Sequence, residues 1–494
     1  MRRLAIISFF FLLLQSCADN DFDKFYPGQV EFPANPPHGV KEAMAARVVP
    51  HPRQLAWQQL EMTAFIHFNI NTFTDKEWGR GDESPELFNP VSLDAEQWVR
   101  VLSEAGMKMV IITAKHHDGF CLWPTKTTSH SVASSPWKEG KGDVIRELRD
   151  ACEKYNMKFG VYLSPWDRNA ECYGDSPAYN KFYLEQLTEL LTWYGKVDEV
   201  WFDGANGEGP GGRKQEYDWQ AYYDLIRKLQ PDAVTAIMGE DVRWVGTETG
   251  YGRETEWSVT ALAPGGTPES RAINEALGLS PASMDLGNSA LLQKAGKVFW
   301  YPAEVDVSIR PGWFWHAAED SLVKDPDELL DIYFSSVGRN AVLLLNVPPD
   351  NRGLITDHDV KSLMGLKAQL DDLYDTDLLN GARPYGKGAA RAIDSDSTTS
   401  WTPNRQRVAS FVPAISVTFN AAMLQEDISM GQRVEKFVIE ARTDQEWFTV
   451  ATGTTIGYKR LLRFPDVTAD EIRLTITSSR ARPNISTFAL YYTE

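Results

Sequence analysis

Histidines, carboxylates and tryptophans fall at the ends of apolar runs in this chain. The run 197–202 closes as Trp201-Phe202-Asp203-Gly204, which leaves Asp203 at the end of a buried strand with Trp201 two residues earlier on the same side. Such a carboxylate is catalytic or ligand-binding on the working face of a parallel α/β fold, or a turn cap before glycine. Ile66-His67-Phe68-Asn69 closes a second run, Thr113-Ala114-Lys115-His116-His117-Asp118-Gly119-Phe120 a third, and Glu77-Trp78-Gly79 lies between them. His and carboxylate groups so placed either ligate a metal or hydrogen-bond the hydroxyls of a sugar. His116 and His117 would face opposite sides of a regular strand, so both reach one ligand only if the chain bends there.

The elements that must position these residues alternate. Strand-like runs occur at 63–67, 109–115, 159–164, 197–202, 233–238, near 298–309 and at 341–347. Between them, helical periodicity marks a stretch around Trp98, Val101, Leu102 and Ala105, capped by Ser92 or Asp94, and stretches near 143–155, 178–194, 216–229 and 319–336. This alternation predicts an α/β fold with a (β/α)8-like, TIM-type barrel over 46–374. Residues 239–297 carry few clear periods and read as long loops with degenerate helices. A Gly-, Asp- and Pro-rich linker over 375–388 leads into short alternating runs, which predict a C-terminal antiparallel β-sandwich over 389–494.

The N-terminus, Met1-Arg2-Arg3 followed by an apolar run to Leu14 and then Gln15-Ser16-Cys17, has the charged and apolar regions of an export signal. It resembles a bacterial lipoprotein leader over 1–17, with Cys17 lipidated and 18–45 as a tether. The implied location is exported, periplasmic or outer-membrane, with membrane contact only through that anchor. A net charge of −18 argues against nucleic acid as a partner, since phosphate binding needs a basic surface. Cys121, Cys152 and Cys172 are an odd number without metal-finger spacing, so no disulfide scaffold is expected.

Taken together, His67-Phe68, Glu77-Trp78-Gly79, Lys115-His116-His117-Asp118-Gly119-Phe120, Trp201-Phe202-Asp203-Gly204 and Leu344-Leu345-Asn346-Val347-Pro348-Pro349 resemble the α-L-fucosidases of glycoside hydrolase family 29. The resemblance implies hydrolysis of α-L-fucosides on fucosylated oligosaccharides or glycoconjugates by retaining double displacement. It implies Asp203 as nucleophile and His67, Glu77, Trp78, His116, His117, Tyr162 and Trp201 as fucose contacts, with Trp313 offering a further apolar face. The segment through Thr247-Glu248-Thr249 and Glu256-Trp257-Ser258 is similar to the subgroup acting on α-1,3 and α-1,4 branches and points to Glu248 as acid/base, although Thr247 stands where that subgroup suggests Asn. Glu240, Glu254 and Glu256 are rivals. No cofactor and no catalytic metal are implied. Ala392-Ile393-Asp394-Ser395-Asp396 through Trp401 resembles the start of discoidin-like, coagulation-factor-C-type domains, which often bind carbohydrate and sometimes calcium; a purely packing role against the barrel is the alternative. Two alternatives stand beside this reading: a metal-dependent hydrolase using His67, His116, His117 and Asp118, and a non-catalytic glycan-binding lipoprotein.

Overall fold

A computed structural model describes residues 24–444 and 446–493. The leader over 1–17, with Cys17, lies outside the described residues. Eight strands form one parallel sheet: β1 (Met62–Ile66), β2 (Met109–Lys115), β3 (Lys158–Leu163), β4 (Glu199–Phe202), β5 (Val234–Ile237), β6 (Arg243–Trp244), β7 (Ala303–Ser308) and β8 (Ala341–Asn346). β8 pairs in parallel with β1, so the sheet curls round on itself as a near-barrel. Its seam lies between β5 and β6, where the chain reverses within 238–242. Asp241 and Val242 N–H groups there bond to the Thr235 carbonyl at 3.2 and 3.1 Å, and Met238 bridges Arg243. Five residues are too few for a crossover helix. This two-residue β6 carries no readable period, which is why sequence patterning misses it.

The main helices are α1 (Ala95–Glu104), α2 (Val144–Lys154), α3 (Ser176–Trp193), α4 (Trp219–Leu229), α5 (Pro326–Ser336) and α6 (Asp357–Leu373). Asp94, Asp143, Asp175, Asp218, Asp325 and Thr356 cap them, each side chain accepting from the backbone N–H three residues on. Each cap stabilises its helix by about 1 kcal/mol. The strands are largely apolar on both faces because both are covered, with a few buried charges such as Glu199 and Glu304 among them. In β2, Val110, Ile112 and Ala114 meet the helices, whereas Met109 and Ile111 fill the interior with Phe65, Tyr162 and Trp201. Residues two apart share a face, so the interior layers are aromatic toward the strand C-termini, where the site lies.

Three boundaries differ from the sequence expectation. The segment expected as a tether carries structure: Gln29–Glu31 joins Val259–Thr260 and Lys297–Trp300 in a small antiparallel sheet. Buried Lys41 extends Nζ to the carbonyls of Gln293 and Ala295 at 2.8 and 2.7 Å. The run near 298–309 splits between that sheet and β7. The linker over 375–388 contributes Leu379 and Ala382 to the sandwich core, the chain turning between them so that Ala382 N–H bonds to the Leu379 carbonyl. The region 239–297 is loop-rich, as expected, with two short helices, Pro268–Leu277 and Ser289–Lys294.

The C-terminal sandwich contains β9 (Arg383–Tyr385), β10 (Val408–Val412), β11 (Val417–Glu426), β12 (Val434–Thr443), β13 (Glu446–Gly453), β14 (Arg460–Ala469), β15 (Glu471–Ser479) and β16 (Ile485–Tyr491). A five-stranded antiparallel sheet, β9-β10-β15-β12-β13, faces a three-stranded one, β14-β11-β16, across Trp401, Phe411, Phe437 and Phe488. The sandwich is joined to the barrel by side chains that reach across to buried backbone and to a carboxylate. Gln432 accepts from Ser258 N at 2.7 Å and donates to Glu256 O at 2.9 Å, and Lys459 Nζ reaches Glu61 at 2.7 Å.

Candidate active site

A cavity of about 340 Å³ opens at the C-terminal ends of the barrel strands. Asp203, His67, His116, His117, Glu77, Trp78, Trp201, Glu248 and Trp313, all singled out from sequence, line it. The expected bend is present. β2 ends at Lys115, its ladder to β3 shifts register there, and residues 116–119 turn through Gly119 at φ 85°. A Cβ at Gly119 would stand 2.4 Å from Asp167 Oδ1, so only glycine fits. Below the turn, buried Lys115 pairs with Asp167 at 2.9 Å and pins the loop. Both histidines therefore face one cavity.

The imidazoles are oriented from behind. Asn346, the last residue of β8, donates Nδ2 to Trp313 O at 2.7 Å and to Ser308 Oγ at 2.9 Å, and its Oδ1 lies 2.8 Å from His67 Nδ1. Oδ1 only accepts, so Nδ1 carries the hydrogen and Nε2 keeps its lone pair. Ser164 Oγ, donating to Trp166 O, likewise accepts from His117 Nδ1 at 2.8 Å. Burial pulls His67 down to about 3 and His116 well below the ordinary range; burial also lowers His117, against the opposing pull of Asp203. Neutral imidazoles result, suited to binding hydroxyls.

Asp203 is held at both oxygens. Ala205 N–H donates to Oδ1 at 2.7 Å and Tyr162 Oη to Oδ2 at 3.0 Å, with His117 Nε2 3.8 Å from Oδ2. Tyr162, expected as a substrate contact, is 1% exposed and commits its hydroxyl to Asp203. Burial pushes its phenol up, so it remains a donor. Trp201 is fixed by its indole N–H to Glu304 at 2.8 Å. Trp78 is 61% exposed and forms the rim, edge-on to His117.

The four candidate glutamates separate in space. Glu248 lines the cavity and accepts from Trp313 Nε1 at 3.3 Å. Glu256 is buried between Arg243 and Arg253, Glu254 pairs with Arg460 and Arg339, and Glu240 lies 4.0 Å from Arg227 in a different hollow. Sequence reasoning missed Asp306. It lines the same cavity from β7, its Oδ1 accepts from Trp244 Nε1 at 2.8 Å, and burial, with the charges of Glu248 and Asp203 beside it, pushes it up to about 7. The available signal was a carboxylate inside the apolar run Val305-Asp306-Val307. Among the described residues, no three His, Cys, Asp or Glu side chains are grouped as metal ligands, so the metal-dependent alternative gains no support.

A parallel near-barrel with carboxylates and aromatic faces around a cavity at its strand C-termini has the arrangement of a barrel enzyme that binds a small ligand there. The sequence profile of the Alpha-L-fucosidase family matches residues 48–371, and the chain belongs to that family and is a glycoside hydrolase, an α-L-fucosidase. It is 41% identical over 460 residues to alpha-L-fucosidase 1 of Arabidopsis thaliana, covering 90% of this chain and 87% of the relative. A crystal structure of a putative alpha-L-fucosidase from Bacteroides ovatus superposes with a TM-score of 0.89 at 57% identity, over 95% of this chain and 78% of that one. A glycoside hydrolase family 29 fucosidase from Ruminococcus gnavus, solved in complex with fucose, superposes with a TM-score of 0.79 at 31% identity, over 94% and 97%.

Proposed function

We propose that the enzyme is an exo-acting, retaining α-L-fucosidase that removes terminal α-1,3- or α-1,4-linked fucose from branched glycans. The observation that carries this reading is that Glu248, alone among the four candidate glutamates, shares a cavity with Asp203. Asp203 attacks the anomeric carbon as the bond to the departing oxygen breaks, and Glu248 gives that oxygen its proton. Glu248 then takes a proton from water, which attacks the same carbon and frees Asp203. Two inversions leave the configuration unchanged. His67 Nε2 and His117 Nε2 accept from sugar hydroxyls, and Trp201 and Trp313 offer apolar faces to the C6 methyl.

The test is fucose release from a Lewis-type oligosaccharide and from an α-1,2-fucosylated galactoside, with the first-formed anomer read by proton NMR. Release of the α anomer from the branched substrate supports the reading. A first-formed β anomer overturns retention, and preference for the α-1,2 substrate overturns the linkage assignment and, with it, Glu248. Asp203→Ala is expected to lose nearly all turnover while keeping its melting temperature.

The sandwich is read as a discoidin-like glycan-binding module, and Cys17 as a lipid anchor on an exported, periplasmic or outer-membrane protein. Palmitate labelling of the full chain, lost in Cys17→Ser, tests the anchor. A structural calcium, which that module type sometimes holds, finds no grouped acidic ligands among the described residues: Asp394 and Asp396 oxygens accept from their own loop, from Asp396 N at 3.0 Å and Thr398 N at 2.9 Å.

A further inference from the structure

We propose that His316 is a positioning residue for this reaction: it clamps Glu77 onto the 312–316 loop and thereby holds Trp313 against Glu248. The imidazole lies between two carboxylates, with Nε2 2.7 Å from Glu77 Oε1 and Nδ1 2.6 Å from Asp75 Oδ1. Carboxylates only accept, so both nitrogens donate and the ring is imidazolium. Glu77 is gripped further by the loop backbone, accepting from Phe314 N at 3.1 Å on Oε1 and from Trp313 N at 2.9 Å on Oε2. Of its roughly four lone-pair positions, one on Oε2 remains for a sugar hydroxyl. Glu77 can therefore bind substrate and hold the loop at once.

Trp313 passes the constraint on. Its backbone N–H is fixed by Glu77 and its carbonyl by Asn346, which also orients His67, while its indole N–H reaches Glu248 at 3.3 Å. The position of the proton donor thus depends on a loop closed by His316. Gly312 provides an independent sign that the clamp is built in. A Cβ there would lie 2.7 Å from Glu77 Oε1, 3.1 Å from His316 Cδ2 and 3.3 Å from Glu319 Oε2. The charged groups facing the imidazole are Asp75, Glu77 and Glu319. Burial alone would lower its titration, but hydrogen bonds to Asp75 and Glu77 and the charges of Glu77 and Glu319 outweigh it and raise it. Above that point one nitrogen presents a lone pair to a carboxylate, and the clamp loosens.

This inference rests on Glu248 being the proton donor, and the experiment separates the two. Purified wild type, His316→Gln, Gly312→Ala and Glu248→Ala are compared on a Lewis-type oligosaccharide, whose leaving group must be protonated, and on an aryl α-L-fucoside with a strongly acidic phenol, which leaves unaided. A displacement of the donor by about 1 Å costs on the order of a hundredfold. His316→Gln and Gly312→Ala are expected to lose at least roughly tenfold more kcat/KM, which reports the step that breaks the glycosidic bond, on the oligosaccharide than on the aryl fucoside, and His316→Gln to flatten the alkaline fall of wild-type kcat/KM. Equal losses on both substrates, or none, would overturn the clamp. If Glu248→Ala itself shows no dependence on the leaving group, the assignment of Glu248 fails instead.

Discussion

Tyr162 reaches up from β3 to donate its hydroxyl to Asp203 Oδ2 at 3.0 Å, while Ala205 N–H holds the other oxygen. The carboxylate proposed to attack is aimed by a side chain buried beneath it. A hydrogen bond to a charged group is worth about 1.5–3 kcal/mol, which corresponds to roughly ten- to hundredfold in rate. Tyr162→Phe is accordingly expected to lower kcat/KM by that factor with the circular dichroism spectrum unchanged. Wild-type kinetics in this variant would show that Ala205 N–H alone positions Asp203.

Glu199 and Glu304, both fully buried inside the barrel, each accept one tryptophan N–H at 2.8 Å, from Trp57 and Trp201, and each keeps a second oxygen without a protein partner. Burial pushes Glu199 up to about 8 and Glu304 well above the carboxylate range, each raised further by neighbouring carboxylates. The folded state therefore holds protons that the unfolded chain releases above about 4.5. Stability is full below that pH and falls as pH rises toward 8. In thermal melts from pH 5 to 8.5, Glu199→Gln is expected to decline less steeply than wild type, since the amide does not titrate and still accepts from Trp57. An identical slope would place the proton elsewhere.

Glu256 is buried between Arg243, 1% exposed, and Arg253, 6% exposed. Glu256→Ala leaves two buried guanidiniums without their countercharge, a loss of about 3–5 kcal/mol. Glu248→Gln, at the cavity, removes no such partner. Glu256→Ala should melt well below wild type, whereas Glu248→Gln should lose turnover at an unchanged melting temperature. Reversal of that pattern would exchange their roles.

His67 and His116 stay neutral because burial holds them down, His67 to about 3. Their folded affinity for protons is below that of the unfolded chain, so their effect on stability is absent above about 6.5 and becomes destabilising as pH falls below it. Imidazole carbon resonances of both residues are expected to stay fixed from pH 8 to 5 in two-dimensional NMR. Titration of either near 6.5 would mean that the cavity is more hydrated than its packing suggests.

The local pattern of the chain was enough for most of this fold. Apolar runs buried on both faces, amphipathic helices with aspartates at their N-caps, and the change to alternating β patterning near Asp375 are each written within about fifteen residues, the range over which periodicity acts. The same pattern located His67, His116, His117 and Asp203, because residues at strand C-termini of a parallel barrel converge whatever the loops do. The bend that turns both adjacent histidines inward could be stated only as a condition.

Tertiary structure decided the rest. β6 has two residues and no period, and exists because β7 offers it a partner. Glu240, Glu248, Glu254 and Glu256 are alike in sequence, and the fold sets three of them beside arginines and, of the four, only Glu248 in the cavity with Asp203. Asp306 reads as a mid-strand acid until the barrel curls it into the cavity. His316 and Glu77 stand 239 residues apart, so their contact leaves no local trace. A hydrogen bond depends on distance in space, and only the pairing of β8 between β1 and β7 brings the loops after those two strands together.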